Sequence, residues 1–234
     1  MKTKVVNLIL IMIVLASTLI AIAFLPDIVP MHFDIHGEVD RWGSKYELLI
    51  LPGALALMWS ICDKSIGFFL KNEKNKDDEK LKSDALNNEK VLGKTLTLTY
   101  AIMAAVNLGL IYLTFSKLDN STLPQVDVIK ILVMLIGLLM IGLGNFMPKT
   151  RINGALGFRL PWTYYNEKTW RKSNLFAGSI GMIVGALLVA VGLIFEGLIA
   201  AVIMLALMVA STITMSVYAY LVYKKEKAND LSEK

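Results

Sequence analysis

The chain has 234 residues, 56% of them hydrophobic and only 18% charged, with 24 lysines and arginines against 19 acids for a net charge of +5. That composition excludes an ordinary soluble domain, which needs a more polar surface, and indicates a membrane-embedded protein. The basic residues are scattered between apolar runs and do not line one face, which excludes a direct nucleic-acid footprint, and the single cysteine, Cys62, excludes an internal disulfide.

The first apolar run, Val5 to Leu25, holds 21 uncharged residues, enough for about 30 Å of hydrocarbon. Ala21 and Ala23 offer a cleavage-like pair, but the apolar core exceeds the ~7 to 15 residues of a signal peptide, so an uncleaved anchor is favoured. The loop that follows, MHFDIHGEVDRWGSK from Met31 to Lys45, carries both histidines. His32, Asp34 and His36 alternate, so an extended segment points all three to one side. With Asp40 closing after the turn at Gly37, they are candidate ligands for a divalent transition ion. The alternative is a hydrogen-bonded cap, with Pro26 and Pro30 stiffening the exit from the first helix and Trp42 at headgroup level. The cap is favoured, and no metal or other cofactor is assigned.

The second run, Tyr46 to Leu70, contains Asp63 and Lys64. An exit from the hydrocarbon near Cys62, continued by an interfacial turn with Phe68 and Phe69, is the alternative there. Lys71 to Lys82, with Asp77, Asp78 and Glu79 interspersed, reads as a solvated, partly disordered loop. The third run, Thr95 to Phe115, carries Asn107, expected as interhelical glue rather than a substrate site. The fourth is Val128 to Met147.

Gly144 to Asn174, GNFMPKTRINGALGFRLPWTYYNEKTWRKSN, is polar yet ordered in character. Pro148 ends the fourth helix, Gly154 and Gly157 permit tight turns, and Asn166 is placed as the N-cap of a helix carrying Trp170. Trp162, Tyr164, Tyr165 and Trp170 match an interfacial belt, while Arg151 and Arg159, within reach of lipid phosphates or Glu167, are read first as positive-inside anchors, with a specific structural or signalling role for Arg159 as the alternative. In the fifth run, Leu175 to Phe195, Gly178, Gly181, Gly185 and Gly192 form one stripe that lets a neighbour approach closely. The expected neighbour is the sixth run, Leu198 to Tyr223, joined through Glu196 and Gly197.

The fold class is therefore all-α, a polytopic membrane protein of six transmembrane helices. The N-terminus, the second and fourth connections and the C-terminal tail hold 19 of the 24 basic residues, which places both termini in the cytoplasm and Met31 to Lys45 outside. No phosphate-binding glycine loop, HExxH, CxxC or nucleophile elbow is present, so nothing marks an enzyme. No helix carries a series of buried charges, which argues against ion-coupled transport. The classes left open by the residues are a binding protein, a small-solute transporter or channel, and a metal-dependent membrane enzyme, of which the binding protein is favoured.

Two segments carry a resemblance. Asn145, Pro148, Asn153, Gly157, Arg159, Pro161, Trp162, Thr163 and Trp170 sit where the signature of the SdpI family has them. Pro26, Pro30, His32, Gly37, Asp40, Trp42 and Lys45 resemble the domain of unknown function that often precedes it. His36 stands outside that pattern. The resemblance implies a two-helix unit over residues 1–93 and a four-helix SdpI-like unit over 94–234. It also implies a multi-pass protein of the bacterial plasma membrane that gives immunity to a secreted peptide or protein toxin. Besides the lipid bilayer, the implied partners are that toxin outside and a transcriptional repressor inside.

Overall fold

The structure, a computed structural model, describes residues 2–34, 38–74, 78–118 and 127–232. It contains six helices long and apolar enough to cross a membrane. Helix α1 spans Lys2–Phe24, and Pro26 then turns the chain into strands β1, Ile28–Phe33, and β2, Val39–Ser44. A 3-10 turn over Lys45–Leu49 leads into α2, Ile50–Lys74, and after a short connection α3 runs over Glu79–Leu118. Helix α4 spans Val128–Phe146, α5 spans Glu167–Ile194 and α6 spans Gly197–Ser232.

Three expectations are corrected here. The lysine-rich stretch is helical on both sides of its connection, through Lys74 and again from Glu79; Lys76 and Asp77 lie outside the described residues. Helix α3 consequently holds 40 residues, about 60 Å, and begins sixteen residues before the expected crossing. Charge ends a hydropathy window without ending a helix, and Glu, Lys, Leu and Ala are good helix formers in water. The Asp78 carboxylate starts the helix, accepting the Lys80 N–H at 2.9 Å. Positions 93 and 94 fall within α3.

Helices α1, α2 and α3 pack around Ile11, Val14, Leu55, Tyr100 and Ala104. Lipid tails are as apolar as these side chains, so polar contacts must add to the packing. They run along the α1–α3 contact. The Thr97 hydroxyl donates to Asn7 Oδ1 at 2.5 Å, and the Thr18 hydroxyl is shared between the Val14 carbonyl at 2.9 Å and Asn107 Oδ1 at 3.2 Å. The Asn107 amide in turn donates to Ser17 Oγ at 3.2 Å. Asn107 is thus held on both sides by α1, and each such bond contributes about 0.6 kcal/mol in a membrane.

The third correction concerns the glycine stripe, which faces α4, not α6. A Cβ on Gly178 would meet the Gly144 carbonyl at 2.4 Å, and one on Gly185 the Gly137 carbonyl at 2.5 Å. The short link to α6 guarantees adjacency but not a small-residue partner face, and Gly137 and Gly144 supply that face on α4. Helix α6 packs instead through Ala200 on Val184, Leu188 and Val191. Asp127 joins the two elements at the far end, accepting the Lys130 N–H of α4 at 3.1 Å and the Gly197 N–H that opens α6 at 2.7 Å.

Candidate functional site

Polar, ordered structure gathers at the two ends of the bundle. At one end the β1–β2 hairpin sits on α1 and α3, because Val29, fully buried, packs with Ala21 and Leu25 against Met31, Leu48, Ile111 and Leu118. Lys45 ties its base: the ammonium donates to the Leu25 carbonyl at 3.1 Å and pairs with Asp27 at 3.2 Å. Arg41 pairs with Glu47 at 2.7 Å, and the other Glu47 oxygen accepts the Ser44 N–H at 3.1 Å, closing a capping box. Pro30 is buried opposite Trp42, whereas Trp42 itself is 52% exposed.

Of the four candidate metal ligands, His32 Nδ1 lies 2.6 Å from Asp40 Oδ1, both side chains being largely exposed. Asp34 accepts the Glu38 N–H at 2.9 Å, the work of a turn. His36 and Gly37 lie outside the described residues. The histidine–aspartate pair is across the two strands, and among the described residues no three His, Cys, Asp or Glu side chains are grouped to hold a metal.

At the other end, residues 147–166 fold back over the start of α5. Pro148 lies in a 3-10 turn, Met147–Lys149, and Asn145 Oδ1 accepts the Lys149 ammonium at 3.0 Å. The Asn153 side-chain oxygen accepts the N–H groups of Ala155 and Leu156, both at 2.7 Å, so one side chain organises the turn. Gly157 has φ +103°, and a Cβ there would meet Asn174 Oδ1 at 2.5 Å, so glycine is required on both counts. That Asn174 oxygen accepts the Phe158 N–H at 2.7 Å. Arg159 donates to the Gly154 carbonyl. Pro161 opens a second 3-10 turn, Pro161–Tyr164, in which the buried Thr163 hydroxyl accepts the Leu160 N–H and donates back to its carbonyl.

Asn166 caps α5 as expected, accepting the Thr169 N–H at 2.8 Å. The aromatic belt is corrected at one member. Trp170 is 2% exposed and faces protein, its indole N–H donating to the Thr150 carbonyl at 3.2 Å and its ring lying 5.2 Å from that of Tyr164. Trp162 packs edge-on against Tyr220 of α6 at 5.8 Å. Neither arginine meets Glu167, which pairs with Lys80 at 2.5 Å, while Arg151 pairs with Asp84 at 3.5 Å.

Several holding residues come from distant helices. Asn87 donates to the Lys149 carbonyl at 2.7 Å, and Asn88 both accepts the Arg151 N–H at 2.9 Å and donates to the Arg151 carbonyl. Glu226 of α6, 3% exposed, is clamped by Lys168 at 2.8 Å and Lys172 at 2.9 Å. Tyr165 donates to Asp230 at 2.7 Å, and this bond pushes its phenol above the ordinary tyrosine range. The polar spacing of Asp84, Asn87 and Asn88, one helical face, was the available signal once residues 79–94 are read as helix.

Residues 149–218 match the SdpI/YfhL protein family, and residues 8–56 match a domain of unknown function, DUF1648. The loop end thus falls mainly in the first segment and the hairpin in the second. The chain is 23% identical over 226 residues to the Immunity protein SdpI of Bacillus subtilis (strain 168), covering 96% of this chain and 98% of that protein. It is 45% identical over 51 residues to an uncharacterized protein of Archaeoglobus fulgidus, covering 22% of this chain and 28% of that one. No solved structure matches.

Proposed function

We propose that the chain, whose residues 149–218 match the SdpI/YfhL protein family and residues 8–56 the DUF1648 domain, is an immunity protein of a bacterial plasma membrane. It protects its host from a secreted peptide or protein toxin by binding it at the hairpin, which lies outside, while both termini and the loop end lie in the cytoplasm. The observation that carries this reading is the likeness to an immunity protein along nearly the whole of both chains. The distribution of lysine and arginine supports the orientation. The residues assigned to recognition are those of the hairpin, chiefly Trp42, which stands opposite Pro30, with His32, Asp40 and Lys45.

Toxin binding is also relayed to the loop end, where the Arg159 to Trp170 stretch holds a transcriptional repressor. Helix α3 suits this role because it touches both ends. Ile111 and Leu118 pack beneath the hairpin, and Asn87 and Asn88 grip the backbone of Lys149 and Arg151. A toxin shifts α3 only if it binds its two positions with different affinity, and repressor binding must then alter toxin affinity in return.

Survival of a toxin-sensitive host tests the protection. Medium conditioned by the bacterium that carries this chain is expected to kill cells with empty vector and to spare cells expressing the chain. Equal killing of both would remove the immunity reading. Arg159→Ala is expected to leave survival unchanged, since Arg159 lies at the opposite end from the hairpin. The same variant is expected to lower the membrane-bound fraction of a fluorescently tagged repressor encoded beside the gene about tenfold, a loss of roughly 1.4 kcal/mol. An unchanged membrane-bound fraction would remove the relay.

A further inference from the structure

From the strand register we infer that the outer edge of β2 takes an extended, cationic peptide segment by strand addition, with the backbone of Trp42 as its docking point. This rests on the immunity reading only for the identity of the natural ligand; the edge itself follows from the hairpin. In an antiparallel pair, hydrogen-bonded and non-bonded residue pairs alternate. The Lys45 N–H donates to the Asp27 carbonyl at 3.1 Å, fixing the bonded positions at the base of the hairpin; the register shifts on either side of His32, so the count runs only as far as Pro30 and Trp42. Counting from that bond, Ile28 with Ser44 and Pro30 with Trp42 are non-bonded pairs. Pro30 therefore stands where no N–H is required. The Ser44 N–H points away from β1, and Glu47 takes it.

Trp42 has the same parity, so its N–H and carbonyl also point outward. Among the described residues no side chain caps them as Glu47 caps Ser44. The β1 edge offers no such opening, since Pro30 has no N–H and is buried, and β1 packs on α3. An open edge is a template for another strand, and proteins ordinarily block it.

Charge selects the occupant. Between Pro26 and Leu48 the chain carries Asp27, Asp34, Glu38, Asp40 and Glu47 against Arg41 and Lys45, a net of −3 on a protein of net +5. Arg41 and Lys45 are spent on Glu47 and Asp27. The negative charge is that of the segment as a whole, and Asp40 lies on β2 itself, where it pairs with His32. The exposed Trp42 ring supplies apolar contact to a side chain of the incoming strand.

The test uses the full chain in zwitterionic nanodiscs and two synthetic probes of alternating pattern, (Lys-Val)5 and (Glu-Val)5. Saturating (Lys-Val)5 is expected to slow hydrogen exchange at the Trp42 amide about tenfold, and (Glu-Val)5 to leave it unchanged. Trp42→Ala keeps the N–H and is expected to weaken (Lys-Val)5 about threefold, whereas Trp42→Pro removes it and is expected to weaken binding about thirtyfold. Because that N–H is outside the ladder, exchange at Gly43 should be the same in both variants. If the proline variant loses the hairpin, the wild-type exchange result decides alone. Unchanged Trp42 exchange with (Lys-Val)5, equal slowing by both peptides, or equal losses in two folded variants would overturn the edge. Failure of the survival assay with these peptide results intact would discard the immunity reading and keep the edge.

Discussion

Replacing Gly185 with valine is expected to lower the stability of the helical bundle by about 3 kcal/mol and its accumulation in membranes several-fold. The added Cβ alone meets the Gly137 carbonyl at 2.5 Å and both the side chain and backbone nitrogen of Ile141 at 2.8 Å. Backbone atoms cannot rotate away, so α4 and α5 must separate, and the dispersion contacts of the whole seam weaken with distance. In a bilayer this is costly, because close approach of small residues is a main source of helix association. Gly181→Ala is the control on the same stripe: its Cβ meets atoms no nearer than 3.6 Å, ordinary contact, and a near-wild-type melting temperature in detergent is expected. Equal losses for both variants would mean that the close contacts of Gly185 with Gly137 and Ile141 do not set the effect.

Trp170→Ala is expected to cost about 3–5 kcal/mol, the range for removing a large buried aromatic side chain. The residue is 2% exposed and fills the space under Gly157, Thr150 and Tyr164. Limited proteolysis should then cut between residues 150 and 166, where the wild type resists. Trp170→Phe retains most of the ring but leaves the Thr150 carbonyl without its donor, and a smaller loss of about 1 kcal/mol is expected. Rapid cleavage of neither variant would show that Asn153 and Asn174 hold the loop without the indole.

The six helices were legible because apolar length is a strong signal. The polar extensions of α2, α3 and α6 were not, since lysine and glutamate close a hydropathy window while sustaining a helix in water. The stripe on α5 was read correctly as a close-approach surface but given the wrong partner: chain connectivity predicts α6, whereas Gly137 and Gly144 make α4 the matching face. The hairpin was read only as a polar loop or cap, and its two strands were not foreseen. Its register depended on Lys45, Asp27 and Pro30 acting together. At the loop end, Asn153, Gly157, Thr163 and Trp170 were singled out through family likeness. The residues that hold the same end from other helices, Asn87, Asn88 and Glu226, lie some sixty residues from Lys149, Arg151 and Lys172 in sequence, and local patterning carries no information about contacts at that range. Trp170 was expected among lipid headgroups because its neighbours are aromatic; the buried carbonyl of Thr150 gives its indole N–H a protein partner instead.

The central claim is that protection begins at the hairpin, on the outside of the cell. It is tested by adding an impermeant thiol reagent to whole cells carrying Cys62→Ser with either Ser44→Cys, in the hairpin, or Ala155→Cys, exposed at the loop end. Cells are then challenged with the conditioned medium, and each variant is compared with itself untreated. The account predicts that the reagent labels Ser44→Cys and removes its protection, and that it neither labels Ala155→Cys nor alters survival. Labelling of Ala155→Cys, or full protection by a labelled Ser44→Cys, would contradict it.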